Sequence, residues 1–195
     1  GEYPLLPLHL ERLQASARTL GFACVQESVS SVLAVEAARW STGVFRVRLT
    51  LAHDGACQVV ASPLPDDPAP TWRVVLASEK LPADDYLLRH KTTARARYDR
   101  TLAALAEQPE VFDAIFFNAL GEVCEGARSN VFVERDGILL TPPAICGLLP
   151  GVMRRTLLES GRAVEQVLRR EDLLRAPALY IGNALRGLMP VILEH

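Results

Sequence analysis

Apolar positions early in the chain repeat first with a helical period and then with a strand period. Over residues 7–20 they fall three or four apart, and Gly21 follows directly, which predicts an amphipathic helix that ends at this glycine. Over residues 45–51 apolar and polar residues alternate strictly, and an Asp-Gly turn leads on to residues 57–61. The first part of the chain is therefore predicted to hold a helix and a β-hairpin with one solvated face.

The rest of the chain mixes short apolar runs with amphipathic stretches. Residues 63–70 are rich in proline and predict a loop. The other predicted elements are strands at 72–77, 114–118, 130–134, 138–141, 164–168 and 178–182, and helices at 94–105, 151–161 and 171–176. This mixture predicts an α/β (α+β) protein of two lobes, a small N-terminal lobe over residues 1–85 and a larger lobe over residues 86–195.

Composition and charge narrow the classes of protein. Of 195 residues, 49% are hydrophobic and 23% are charged, and 21 basic against 23 acidic residues leave a formal net charge of −2. This balance is typical of a folded globular protein and argues against a nucleic-acid surface. No apolar stretch reaches the ~18 residues of a membrane span and no secretory signal is visible, so a cytoplasmic protein is expected.

The cysteines suggest neither a disulfide framework nor a metal site. They form no CxxC pair and have no histidine at zinc-ligand spacing, so we expect four free thiols and no bound metal. The chain also opens without methionine and enters a helix almost at once, which leads us to expect that the sequence begins inside a longer polypeptide.

One lysine is a candidate for chemistry because lysine is rare in this chain. Lys91 and Lys80 are the two lysines, and the other 19 of the 21 basic residues are arginine. A lysine amine, unlike a guanidinium group, can lose its proton and form a Schiff base with a carbonyl compound. A solvated lysine at the start of a helix is the alternative interpretation.

A carboxylate is the second candidate. A turn at Leu120-Gly121 would place Glu125 at the end of a strand, beside small residues that allow another group to approach closely. A carboxylate in that position could hold the protonated nitrogen of a pyridine ring, since opposite charges stabilise each other's charged forms. The alternative is a glutamate at a solvated strand edge.

Two later segments could bind an anion. Pro150-Gly151 precedes a helical run, so the backbone N–H groups of Val152 and Met153 could seat a phosphate, although many helices begin this way and bind nothing. An apolar strand that ends in Gly-Asn-Ala at residues 182–184 is followed by Arg186 and could offer donors to the same anion. A plain exit from the strand explains that segment equally well.

Taken together and in order, these segments resemble the class IV aminotransferase family, the fold type IV enzymes that use pyridoxal 5′-phosphate (PLP). The likeness is closest to its 4-amino-4-deoxychorismate lyase branch and runs from His9 to about Val191. It is carried by His90-Lys91-Thr92-Thr93, Glu125-Gly126-Ala127-Arg128-Ser129-Asn130-Val131-Phe132, Thr141-Pro142-Pro143, Gly147-Leu148-Leu149-Pro150-Gly151 and Gly182-Asn183-Ala184-Leu185-Arg186-Gly187.

The resemblance implies a small N-terminal α/β lobe, a larger barrel-like lobe and a role for each site residue. Lys91 would form the Schiff base with PLP and later move protons, and Glu125 would hold the pyridine nitrogen so that the ring accepts electrons. The residues implied for the cofactor phosphate are Arg12, Val152, Met153, Asn183 and Ala184. Those implied for a substrate carboxylate are Arg128 and Arg186.

The implied activity is a PLP-dependent lyase that converts 4-amino-4-deoxychorismate to 4-aminobenzoate and pyruvate for folate synthesis. An amino-acid transaminase of the same fold, of branched-chain or D-amino-acid type, and a catalytically degenerate dimerising module are the alternatives. A homodimer is expected, working with or fused to an aminodeoxychorismate synthase component. Family members also carry a strand before the first helix, which would lie upstream of Gly1.

Overall fold

The chain folds into two compact units, Gly1–Pro68 and Ala69–His195. The computed structural model describes residues 1–40, 42–65 and 71–194. Of the loop predicted over residues 63–70, residues 66–70 lie outside the described part of the chain.

The first unit contains two helices and a hairpin. Its elements are α1 (Leu6–Leu20), α2 (Gln26–Ala38), β1 (Phe45–Leu51) and β2 (Cys57–Pro63). Helix α1 ends where the sequence predicts, because Gly21 takes a positive φ of 75° and its N–H bonds to the Ala17 carbonyl. The hairpin is antiparallel and pairs Phe45 with Pro63 at its open end. The sequence prediction of this helix and hairpin is confirmed.

Helix α2 has no counterpart among the predicted elements. It packs against β2 and buries Val29 and Leu33, which lie one helical turn apart. Serines and alanines occupy much of the rest of the helix and dilute its apolar stripe, so the periodic signal in the sequence is weak.

The second unit is built on one eight-stranded sheet. Its strands are β3 (Trp72–Leu81), β4 (Val111–Asn118), β5 (Val123–Gly126), β6 (Asn130–Arg135), β7 (Ile138–Thr141), β8 (Ala163–Glu165), β9 (Ala178–Asn183) and β10 (Gly187–Leu193). Its helices are α3 (Ala96–Ala104), α4 (Val152–Glu159) and α5 (Arg170–Arg175). The strand order is β5-β4-β3-β10-β9-β6-β7-β8, with parallel pairs β3/β4, β3/β10 and β7/β8.

The sheet curls until its two ends approach each other. The Val123 N–H of β5 donates to the Leu168 carbonyl, 2.8 Å away, in the segment that follows β8. One apolar cluster collects side chains from most of the strands together with Leu173 of α5, which places it on the concave side. Helices α3 and α4 cover separate parts of the opposite face. The predicted mixed, barrel-like fold class is therefore confirmed.

The boundary between the units differs from the predicted one at residue 85. Strand β3 falls in the predicted small lobe, yet it lies in the middle of the large sheet, hydrogen-bonded in parallel to β4 and β10. Parallel partners far along the chain leave no local sequence signal, which is why the prediction placed the division too late.

Strand β10 has no counterpart among the predicted elements, and a 3₁₀ turn at Tyr86–Arg89 precedes Lys91. All four cysteines are free thiols, and Cys124 and Cys146 are buried. Within the described ranges, every helix is too short or too polar to cross a bilayer.

Candidate active site

Glu125 is aimed by a bulge in strand β5. Ile115 of β4 pairs with Gly126 and Phe117 pairs with Val123, so that Cys124 and Glu125 together oppose the single residue Phe116. This two-against-one pairing defines a β-bulge, a feature that turns a side chain toward a site. It directs Glu125 toward the face of the sheet that α3 covers.

Each oxygen of the Glu125 carboxyl group accepts a hydrogen bond from the protein. The Tyr98 phenol on α3 donates to Oε1 at 2.6 Å, and the Leu149 N–H donates to Oε2 at 3.0 Å. Burial raises the pKa of Glu125 to about 7, against the lowering effect of these two hydrogen bonds and of the charges on Lys91 and Arg95. Burial therefore favours the protonated form of this carboxyl group, while the two hydrogen bonds and the nearby positive charges favour the ionised form.

Lys91 lies in the segment between the 3₁₀ turn and α3. Its side chain is exposed, and its positive charge is near enough to Glu125 to lower the pKa of that carboxyl group. The charge of one residue that the sequence proposes for catalysis therefore acts on the carboxyl group of the other. The 33 residues between them include all of α3 and β4, so only the fold brings them together.

The start of α4 is linked to Glu125 through one residue, Leu149. The Leu149 N–H binds Glu125, and the Leu149 carbonyl accepts a hydrogen bond from Asn130 Nδ2 at 2.8 Å. Two residues later Gly151 caps α4 without any side-chain hydrogen bond to the first-turn N–H groups. A Cβ at Gly151 would overlap Asn130 Oδ1, so this approach requires glycine. The N–H groups of Val152 and Met153 thus begin the helix as the sequence predicts.

The end of β9 lies against the start of α4. A Cβ at Gly182 would meet the Met153 side chain, which packs across the glycine. Asn183 is the last residue of β9, and its Oδ1 accepts the N–H groups of Leu185 and Arg186 at 3.0 Å each. The Asn183 side chain therefore shapes the turn that holds Ala184, and its role at a phosphate stays a prediction.

Arg128 and Arg186 converge on one aromatic ring. Their guanidinium carbons lie 5.7 and 6.0 Å from the centre of the Phe112 ring, which is within the range of a cation–π contact. Asn183 joins the two segments by donating to the Arg128 carbonyl at 3.3 Å. The structure therefore brings the two predicted carboxylate-binding residues together, while their role stays a prediction.

Arg12 lies on α1 in the first unit. Burial lowers the pKa of its guanidinium group. The other predicted site residues all belong to the second unit, and the contact of Arg12 with a cofactor phosphate stays a prediction.

Sequence reasoning missed Tyr98 and Asp113 as site residues. Tyr98 belongs to the apolar stripe of a predicted helix, and nothing local marks its hydroxyl as a partner of Glu125. Asp113 is fully buried and accepts hydrogen bonds from Ser129 Oγ at 2.5 Å and from the Arg128 N–H at 3.1 Å. It thereby fixes the turn that follows Glu125. An aspartate inside an apolar strand was the available signal, because burying it requires such partners.

These groups fit PLP. Each Glu125 oxygen has a second lone pair that could accept a ring N–H, and the uncapped start of α4 suits a phosphate. A curled mixed sheet that gathers a lysine, a buried acid and a glycine-flanked helix start defines the class of fold type IV PLP enzymes.

Comparisons with known proteins agree with this class. The family model for amino-transferase class IV matches residues 1–193. A Schizosaccharomyces pombe protein with a proposed aminodeoxychorismate lyase activity is 31% identical over 95% of this chain and 82% of its own length. A Thermotoga maritima protein with a proposed branched-chain-amino-acid aminotransferase activity is 30% identical over 45% of this chain and 34% of its own length.

A solved structure gives the same result for the fold. The crystal structure of a proposed amino-acid aminotransferase from Mesorhizobium loti superposes with a TM-score of 0.91 and 40% identity, covering 97% of this chain and 92% of that one. The chain belongs to the class IV aminotransferase family, whose members are PLP-dependent.

Proposed function

We propose that this protein is a PLP-dependent lyase that converts 4-amino-4-deoxychorismate to 4-aminobenzoate and pyruvate. The observation that carries the proposal is a buried carboxyl group, Glu125, close enough to the Lys91 charge for its pKa to be lowered by it, beside a helix start that suits a phosphate. The choice of lyase is supported by the similarity to the Schizosaccharomyces pombe protein, which extends over almost the whole chain.

Each part of the site would hold one part of the cofactor. The Val152 and Met153 N–H groups, with the turn at Asn183 and Ala184, would bind the phosphate, and Arg12 would add a guanidinium group. Glu125 would accept the N–H of the pyridine ring, and Lys91 would bind the aldehyde carbon. Bound PLP supplies an electron-accepting ring that withdraws charge from the carbon bearing the substrate amine.

The residues of the chain would then move one proton. Once the substrate amine has displaced it from the aldehyde carbon, Lys91 Nζ would take the proton from the amine-bearing ring carbon, and the C–O bond to the enolpyruvyl group would break with its electron pair on oxygen. The same proton returns to the departing group, which leaves as pyruvate, while the ring becomes aromatic. The reaction therefore requires neither water nor an oxidant. Glu125 keeps its charge beside the ring nitrogen, and Arg128 and Arg186 would hold the substrate carboxylates.

A transaminase is the second candidate. It is favoured by the Mesorhizobium loti structure at 40% identity and by the Thermotoga maritima relative. A transaminase requires a 2-oxo acid as amino acceptor, whereas the lyase reaction requires none. That difference in co-substrate separates the two proposals.

Product analysis tests the proposed function. Protein loaded with PLP and given 4-amino-4-deoxychorismate alone should release 4-aminobenzoate and pyruvate in equal amounts. Lys91→Ala should abolish turnover, whereas Lys80→Ala, which removes the other lysine, also exposed, should leave it unchanged. Turnover that depends strictly on an added 2-oxo acid would replace the lyase by the transaminase.

Cofactor attachment needs a separate measurement. Borohydride treatment of the PLP-loaded protein should fix the cofactor on the peptide that contains Lys91, and protein that stays colourless with PLP would indicate a module that has lost catalysis. We also propose that the protein is a homodimer that works with or is fused to an aminodeoxychorismate synthase component.

A further inference from the structure

The ionisation and direction of Glu125 depend on two donors of different kinds. The Leu149 N–H belongs to the main chain and is held from its other side by Asn130. The second donor is the Tyr98 hydroxyl, 2.6 Å from Oε1 in a buried environment. Tyr98 is the donor that a single side-chain change can remove without changing the main chain.

Tyr98 is placed firmly by its own contacts. Its ring meets Phe116 edge to face at 5.2 Å between centroids, and the Arg95 guanidinium lies over it at 5.0 Å. Phe116 is the residue that faces the β5 bulge, so the bulge and the phenol are packed against the same ring. The geometry fixes where the hydroxyl points before any ligand binds.

The phenol acts as a donor and not as a base. Burial and the neighbouring Glu125 carboxylate raise the pKa of Tyr98 far above its ordinary value of 10.0, so the O–H keeps its proton in the neutral range. The other ionisable groups that influence this pair are Lys91 and Arg95 before α3 and the thiol of Cys124 on β5.

We propose that Tyr98 is a positioning residue for Glu125. Its hydroxyl, together with the Leu149 N–H, holds the plane of the carboxyl group and favours the ionised form that accepts the ring N–H of a pyridine cofactor. The part of this inference that concerns the cofactor rests on the proposed function, whereas the effect of Tyr98 on Glu125 does not.

The test is an infrared pH titration of the cofactor-free protein. The C=O stretch of protonated Glu125 is assigned by its loss in Glu125→Gln, and its midpoint should lie near pH 7 in the wild-type protein. Tyr98→Phe keeps the ring and its packing and should move the midpoint upward by about one pH unit, because a hydrogen bond to the ionised form is lost. The matched control is Tyr180→Phe, which removes a phenol that donates to Glu134 at 3.0 Å and should leave the midpoint unchanged.

A second variant works in the opposite direction. Replacing Tyr98 by 3-fluorotyrosine makes the hydroxyl a stronger donor, so the midpoint of the Glu125 titration should fall. This variant tests the inference even where Tyr98→Phe folds poorly. An unchanged midpoint in both Tyr98 variants, or an equal shift in Tyr180→Phe, would overturn it. Product analysis is independent of this titration, so loss of the lyase proposal and loss of the Tyr98 proposal are distinguishable.

Discussion

The buried carboxyl group of Glu125 should make the cofactor-free protein less stable as the pH rises. Glu125 is 6% exposed, and burial raises its pKa from 4.5 to about 7. Between these two pH values the folded protein keeps a proton that the unfolded chain has lost, so the free energy of unfolding falls with rising pH. At about 1.36 kcal/mol per pH unit, the total loss is about 3 kcal/mol by pH 8.

Glu125→Gln removes this titration. The free energy of unfolding of the variant relative to the wild-type protein should therefore rise by about 3 kcal/mol between pH 4.5 and pH 8, on top of a constant offset from the changed hydrogen bonds. Guanidinium unfolding followed by fluorescence measures this in a Trp40→Phe background, where Trp72 reports on the second unit. Glu159→Gln, an exposed change on α4, is the control.

The direction of the change is the critical result. A difference between Glu125→Gln and wild-type protein that stays constant across this range would show that Glu125 ionises in the folded state as it does in the unfolded chain. A difference that falls with pH would show that its charge is stabilised by the fold. Either outcome would refute the burial argument for this residue.

Three further predictions concern packing and assembly. Gly126→Ala should cost about 1 to 3 kcal/mol of unfolding free energy in denaturant titrations, because its Cβ would overlap Asp113 Oδ2 and Ser129 Oγ; unchanged stability would contradict this packing. Leu33→Ala should cost about 2 to 5 kcal/mol in the first unit, while the exposed Val35→Ala on the same helix should change stability by less than about 0.5 kcal/mol. Sedimentation equilibrium should give twice the chain mass, and a monomer at assay concentration would count against the proposed homodimer.

Local patterns in the sequence predict most of the secondary structure because their signals are short-range. The hairpin of β1 and β2 alternates strictly, and α1 carries a regular stripe that ends in glycine. Strand β10 is not predicted because a proline within a segment, here Pro190, argues against a strand. Its hydrogen bonds come from β3 and β9, which the local sequence does not show as partners. The place of β3 in the middle of the large sheet is also not predicted, because its pairing partners lie far along the chain.

The site shows the same division between local and long-range information. Lys91, Glu125 and the start of α4 are visible as residue types in suggestive segments, and the resemblance to a family assigns them roles. Tyr98 and the bulge of β5 depend on register and on packing between α3 and the sheet, which no single segment encodes. Predicting them from the sequence would require knowing which residue of β4 pairs with which residue of β5.

The hydrogen bonds around Leu149 explain why the acid and the helix start form one structural unit. Glu125 accepts a hydrogen bond from the N–H of this residue and Asn130 donates one to its carbonyl, so a shift of either side chain would break a hydrogen bond to the chain that enters α4. Asn130 opens β6 directly after the turn that Asp113 fixes, and Glu125 is the next-to-last residue of β5, just before that turn. A ligand whose anionic group rests on α4 therefore meets a carboxyl group already set at a defined distance. Under the proposed function, binding one end of the cofactor would then need little rearrangement at the other end, which is the preorganisation that a catalytic site requires.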